Sequence, residues 1–180
     1  MFKPLDFVAI GDTVTDAFIR LEDADVHCDV NREHCKLCVK FAEKIPYEFV
    51  EVVKAVGNSA NAAVSAARLG LNSALITNLG KDQNGAECLK ELKKNKVSTK
   101  YVTLHRHMQT NYHYVLWFED ERTILVKHET YPYDFPRVRP PKWMYLSSLA
   151  ANSFDYHMEI VEYLKKNPKV KLAFQPVTFQ

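Results

Sequence analysis

Apolar positions along this chain switch between alternation and helical spacing, and that succession predicts its elements. Phe7-Val8-Ala9-Ile10 is a short apolar run closed by Gly11-Asp12, which predicts a buried strand. Residues 13–16 read as a polar turn, after which Asp16-Ala17-Phe18-Ile19-Arg20-Leu21 alternates. Residues 22–46 are polar and irregular, and Phe49-Val50-Glu51-Val52-Val53 alternates again. Past Gly57, Ala60, Ala63 and Ala67 recur at helical spacing, with Ala62 and Ala66 beside them. Asn58 and Ser59 are expected to cap that helix and Gly70 to end it. Ala74-Leu75-Ile76-Thr77-Asn78-Leu79 is a further strand, and residues 83–95 form an amphipathic helix with Asp82 as its cap. Residues 110–118 and 122–128 are β-rich and joined by Glu119-Asp120-Glu121, which predicts a hairpin. Residues 129–142, with Pro132, Pro136, Pro140 and Pro141, read as loop. Trp143-Met144-Tyr145-Leu146, a helix over 155–167 and Val170-Lys171-Leu172-Ala173-Phe174 complete the pattern.

Strands alternating with helices argue an α/β fold with a parallel sheet and a β-hairpin excursion. Residues 17–21, 48–53 and 110–128 are expected to form a small sheet with one exposed face, usable as a lid or a dimer contact. At 180 residues one domain is expected, and 47% apolar with 26% charged residues is a globular composition. A net charge of +2 from 24 basic and 22 acidic residues gives no support to nucleic-acid binding; the basic run from Lys90 to Lys100 reads as a solvated face. No apolar run approaches the ~18–20 residues of a membrane span, and the start lacks the apolar core of a signal peptide. The expectation is therefore a cytoplasmic location, no membrane partner and four reduced cysteines.

Candidate chemistry sits in three places. His27-Cys28 and Cys35-Lys36-Leu37-Cys38 resemble an incomplete zinc knuckle, but a second Cys-x2-Cys or His pair is absent. Cys35 and Leu37-Cys38-Phe41 also fit the apolar side of a short helix, so helix packing is favoured and no metal is expected; Cys28, Cys35 and Cys38 are weak candidates. Asp16 either satisfies a turn or binds hydroxyls, since an ionised carboxylate only accepts. The turn from Gly57 into the Ala-rich helix offers unpaired N–H groups, a positive dipole end and the carboxamides of Asn58 and Asn61. That set suits a polyol. The glycine spacing is not that of a dinucleotide fingerprint, and no Gly-Lys-Ser/Thr triplet of a P-loop occurs.

Gly57, Asn61, Ala63, Gly70 and Gly80, continued by Gly80-x-Asp82-x-x-Gly85 and led by Gly11-x-x-x-x-Asp16, together form a signature. Over most of residues 5–103 the chain resembles the N-terminal half of the PfkB, or ribokinase-like, carbohydrate kinases. The resemblance implies a ribokinase-like parallel sheet with helices on both faces plus a small β lid, and an ATP-dependent transfer of the γ-phosphate to a sugar hydroxyl with Mg²⁺. It implies that Asp16 binds sugar hydroxyls, that Gly57, Asn58 and Asn61 surround the same sugar, and that the lid can mediate a homodimer. Asn58 stands where ribokinases often have lysine, Val56 replaces the first glycine of a usual pair, and Gln175-Pro176-Val177 departs from the usual Asn-Pro turn. The family's Gly-Ala-Gly-Asp motif, which carries the catalytic base and an anion hole, has no counterpart, because no glycine follows Gly85. The expectation is a substrate-binding and lid portion, inactive alone, with the base and the ATP and Mg²⁺ site beyond Gln180 and a C-terminal half as partner. The alternatives are a non-catalytic sugar- or nucleoside-binding module or relic, and a zinc-stabilised interaction domain.

Overall fold

A computed structural model describes residues 4–31 and 33–176. The first three residues, which bear on the leader question, and Val177 of the last turn lie outside the described residues. In chain order the elements are β1 (Phe7–Ile10), β2 (Val14–Leu21), β3 (Asp25–His27), β4 (Lys36–Cys38), β5 (Tyr47–Val56), α1 (Asn58–Arg68), β6 (Ser73–Gly80), α2 (Gln83–Lys94), β7 (Ser98–His105), β8 (Asn111–Phe118), β9 (Glu121–Leu125), β10 (Trp143–Leu146), α3 (Phe154–Lys166) and β11 (Lys171–Phe174). They divide into two compact units, the first being Met1–Thr15, Lys54–Asn111 and His128–Gln180, the second Asp16–Val53 and Tyr112–Lys127.

The first unit is built on a parallel sheet ordered β11-β10-β1-β6-β7. Phe7 lies in register with both Trp143 and Ser73, so β1 is central and the chain steps away from it in both directions. Alternation along β1 sends Val8 and Ile10 to one face, with Met144, Leu146 and the α3 residues Tyr156 and Ile160. Ala9 goes to the other face, with Leu75, Leu79, Ala60 and Ala63 of α1, and Cys88 and Leu92 of α2. Helices therefore cover both faces, and all eight residues of β6 are buried, as a doubly covered parallel strand requires.

The hydrophobic pattern does not announce β7. As the edge strand it has no fully buried residue, so it carries no apolar run, and only its β-branched Thr99, Val102 and Thr103 hint at extension. The expected turn over 13–16 is also displaced: β2 begins at Val14, which puts Asp16 inside a strand. α1 is not capped by Asn58 or Ser59. Gly57 takes the cap position without a side-chain hydrogen bond, while Ser59 is drawn down to the Ile10 carbonyl at 2.5 Å. At the far end Gly70 N–H bonds Ala67 O and Leu71 N–H bonds Ala66 O, both at 3.0 Å, which closes the helix as a Schellman motif.

The second unit holds a four-stranded sheet ordered β5-β2-β8-β9. β8 and β9 form an antiparallel hairpin closed by Phe118 opposite Glu121. Arg20 stacks its guanidinium 4.6 Å over Trp117 and donates to Glu119 O at 2.5 Å, which fixes the hairpin turn. The insert over 22–46 corrects two expectations. Its cysteine stretch is not a helix but the antiparallel pair β3 and β4, and Cys28 and Cys35 are joined in a disulfide rather than reduced. No described residue of this segment is buried, so a helix would have no surface to pack against. In this form Cys28 and Cys35 hold each other and do not offer thiolates to a metal.

One carboxylate ties the first unit together near its glycine pair. Asp82 accepts from Gly85 N–H at 2.8 Å, Thr110 N–H at 2.8 Å and Thr110 Oγ1 at 2.6 Å. A Cβ on Gly80 would lie 2.6 Å from Thr110 N, and one on Gly85 would run into the Gly80 carbonyl. Burial raises the Asp82 pKa, but its hydrogen bonds from Thr110 and Gly85 outweigh this and hold it below the ordinary 3.8. The native state therefore gains from an ionised Asp82 above the ordinary value and loses that gain as pH falls through the lowered one. Asp82→Asn should cost about 1–2 kcal/mol near neutral pH. Urea midpoints for wild type and variant should converge as the pH drops below the ordinary carboxylate value; a constant gap would rule this account out.

Candidate functional site

The site grows from the carboxyl end of β1, where the sheet order reverses and parallel α/β sheets bind their ligands. Gly11 and Asp12 leave β1 there, Ser147 and Ser148 leave β10 beside them, and α1 starts above them. Asp12 N–H donates to Ser148 O at 2.8 Å, and Asn58 Nδ2 to Ser148 Oγ at 3.3 Å. Ser59 Oγ, fully buried, also lies 2.6 Å from Ser147 Oγ. These bonds press the start of α1 onto the strand ends. Gly57 makes the approach feasible: its φ of +105° is left-handed, and a Cβ there would lie 2.9 Å from Asp12 O. Val56, which stands in place of a usual glycine, does not itself take a left-handed backbone. The left-handed residues are its neighbours, Ala55 at φ +56° and Gly57, and Val56 itself ends β5.

Gly57, Asn58 and Asn61 thus share the first turn of α1, with Asn61 N–H bonded to Gly57 O at 2.9 Å and its side chain exposed. Asp16 belongs to the second unit. Its carboxylate lies 3.5 Å from His113 Nδ1, and its Oδ1 is buried without a hydrogen bond. On the same unit a cavity of about 430 Å³ is lined by Phe18, Glu51, Val53, Trp117 and Arg122 among others.

Sequence reasoning did not select Asp12, which is buried beside the glycine turn. Tyr133 OH donates between its two oxygens, at 3.0 and 2.9 Å, and His128 Nδ1 stands 3.8 Å from Oδ2. Burial, and then the Asp12 charge, push the Tyr133 phenol up, so it stays a donor. Tyr133 lies in a proline-rich stretch without periodicity, which is why no pattern signals it. Asp12 had one signal, its place directly after the glycine that closes β1.

Among the described residues, the group with metal-ligand geometry, Asp29, Glu33 and His34, is wholly exposed on the insert. No described helix is long and apolar enough to cross a membrane.

Comparison with solved structures places this architecture in the ribokinase-like α/β class. The ribokinase of Arabidopsis thaliana, solved with ribose and ATP, superposes with a TM-score of 0.72 at 17% identity, over 96% of this chain and 53% of that one. The ribokinase of Cryptococcus neoformans var. grubii serotype A, solved with ADP, gives 0.67 at 18%, over 96% and 49%. The fructokinase of Halothermothrix orenii gives 0.65 at 21%, over 94% and 56%. The chain belongs to the pfkB family of carbohydrate kinases, whose family model matches residues 27–176. It spans about half the length of the solved relatives, and no curated protein matches its sequence.

Gly57→Ala should destabilise the chain by about 1–3 kcal/mol, because a side chain meets both a left-handed backbone and the Asp12 carbonyl. Thermal unfolding of the two proteins checks this. An unchanged midpoint would show that the turn relaxes at no cost.

Proposed function

We propose that this chain is the substrate-holding portion of an ATP-dependent sugar kinase, with sugar hydroxyls bound at the Gly57 turn and by Asp16. The observation that carries this is the turn itself: a left-handed glycine pressed against Asp12 O, opening a helix at the switch point of a parallel sheet in a pfkB-family chain. Helix-start N–H groups and the Asn58 and Asn61 carboxamides donate to sugar oxygens. The Asp16 Oδ1 that makes no hydrogen bond accepts from a sugar hydroxyl, which offsets the cost of leaving a buried acceptor unmet. By the resemblance, the four-stranded sheet acts as the lid and as the face for a second copy, with Val50, Val52 and Leu125 among its exposed apolar residues. Phosphoryl transfer needs a phosphate cradle and an acceptor for the hydroxyl proton; in this reading further polypeptide supplies both, as in relatives twice as long. The chain alone is then expected to bind and not to phosphorylate, in the cytoplasm where ATP is supplied.

Titration calorimetry with ribose, fructose and adenosine in turn tests the reading. At least one should bind saturably. A charged hydrogen bond of about 1.5–3 kcal/mol means that Asp16→Asn should weaken that ligand about 10- to 100-fold. No binding by any of the three, or equal affinity in the variant, would overturn the role given to Asp16. Phosphorylation by the chain alone would overturn the division of labour.

A further inference from the structure

The end of the parallel sheet where its strands begin carries a cavity of about 590 Å³ that belongs wholly to the first unit. Leu5 enters it just before β1, Asn72 just before β6, Ser98 and Tyr101 from β7, and Arg139 from the proline-rich loop. The Gly57 turn lies at the other end of the strands.

An irregularity in β7 builds one wall. β6 and β7 pair Ala74 with Ser98 and Ile76 with Tyr101, so three steps along β7 match two along β6. One extra residue is held between them, a bulge at Thr99-Lys100. Strict alternation would set Ser98 and Tyr101 on opposite faces. With the bulge both line the cavity, and Lys100 between them lines it too. Lys100 thus leaves the basic run of α2 for a different element and a concave surface.

The charge in the cavity is of one sign. Its charged lining residues are Lys100 and Arg139. Among the described residues no carboxylate pairs with Lys100, whose ammonium stands 5.6 Å over the Tyr101 ring. Asp6, the acid at the head of β1, is engaged by Lys142 Nζ at 2.8 Å and by Asn72 N–H at 2.9 Å. Like charges lining one concavity focus a positive potential into it, which an anion relieves.

We propose that this cavity binds a phosphate monoester carried on a ring-sized body, with the dianion between Lys100 and Arg139 and the body against Leu5, Pro140 and the Tyr101 ring. Two cations match a dianion, and a guanidinium fork beside an ammonium point charge suits phosphate oxygens. The volume is that of a small-molecule site, and an inorganic ion would leave its apolar walls unused. A nucleoside monophosphate and a sugar phosphate share this chemistry. The site uses neither the Gly57 turn nor Asp16, so it stands or falls independently of the sugar reading.

Calorimetry at about 0.15 M salt with adenosine monophosphate, ribose 5-phosphate and inorganic phosphate tests the proposal. At least one ester should bind saturably and roughly 10-fold or more tighter than inorganic phosphate, because its body buries apolar surface. Which ester binds identifies the source. Lys100→Gln and Arg139→Gln should each weaken that ester about 10-fold or more, the loss expected of one charged hydrogen bond. Both side chains are exposed, so the unfolding midpoint should stay at the wild-type value. Lys169→Gln, an exposed cation before β11 and outside the cavity, should change nothing. No binding by either ester, equal binding of inorganic phosphate, unchanged affinity in Lys100→Gln, or equal weakening by Lys169→Gln would overturn the proposal.

Discussion

Close approach of backbone at the end of β1 is the constraint on which this structure depends. Strand β1 delivers Gly11 and Asp12, β10 delivers Ser147 and Ser148, and α1 descends on both. Ser59 Oγ bridges them, at 2.5 Å from the Ile10 carbonyl and 2.6 Å from Ser147 Oγ. A buried hydroxyl costs free energy when it is left unpaired, so this one gains from the contact that it fixes. The helix sits this close because its sheet-facing residues are Ala60, Ala63 and Ala67, each at most 8% exposed. Larger side chains would lift α1 and break the serine contacts together.

A second close approach organises the other arm of the sheet by different means. There Asp82 gathers three donors, and Gly80 and Gly85 admit the segment that ends in Thr110. Thr110 leads into β8, so this contact fixes where the chain leaves the first unit. Two motifs that read as one signature along the chain thus do different work. Gly80, Asp82 and Gly85 are consumed by packing, while at the turn Asn61 keeps an exposed carboxamide.

The sheet and its helices were legible because burial on two faces writes long apolar runs and small-residue spacing into the chain. β7 was not, since this edge strand has no fully buried residue and needs no such run. At the candidate site, glycine, asparagine and aspartate at family spacing mark Gly57, Asn58, Asn61 and Asp16 along the chain, but the Asp12–Tyr133 contact joins residues 121 apart and has no local pattern. The insert misled for a physical reason: Leu37, Cys38 and Phe41 at helical spacing imply a packed face, and the segment has no partner to pack on. Pairing across β3 and β4, not periodicity, decided its conformation.

These differences bear on how a sugar would be recognised. Within the first unit the turn is set before any ligand arrives, because Ser59, Ser148 and the Asp12 backbone already hold it. Such preorganisation spares a ligand the cost of ordering the loop, so even two or three hydroxyl contacts there can yield measurable affinity. Asp16 contributes differently. Its Oδ1 is buried and makes no hydrogen bond, with His113 at 3.5 Å, and a hydroxyl that supplies the missing proton restores what burial cost. In the proposed reading, a ligand lacking that hydroxyl would leave the deficit in place.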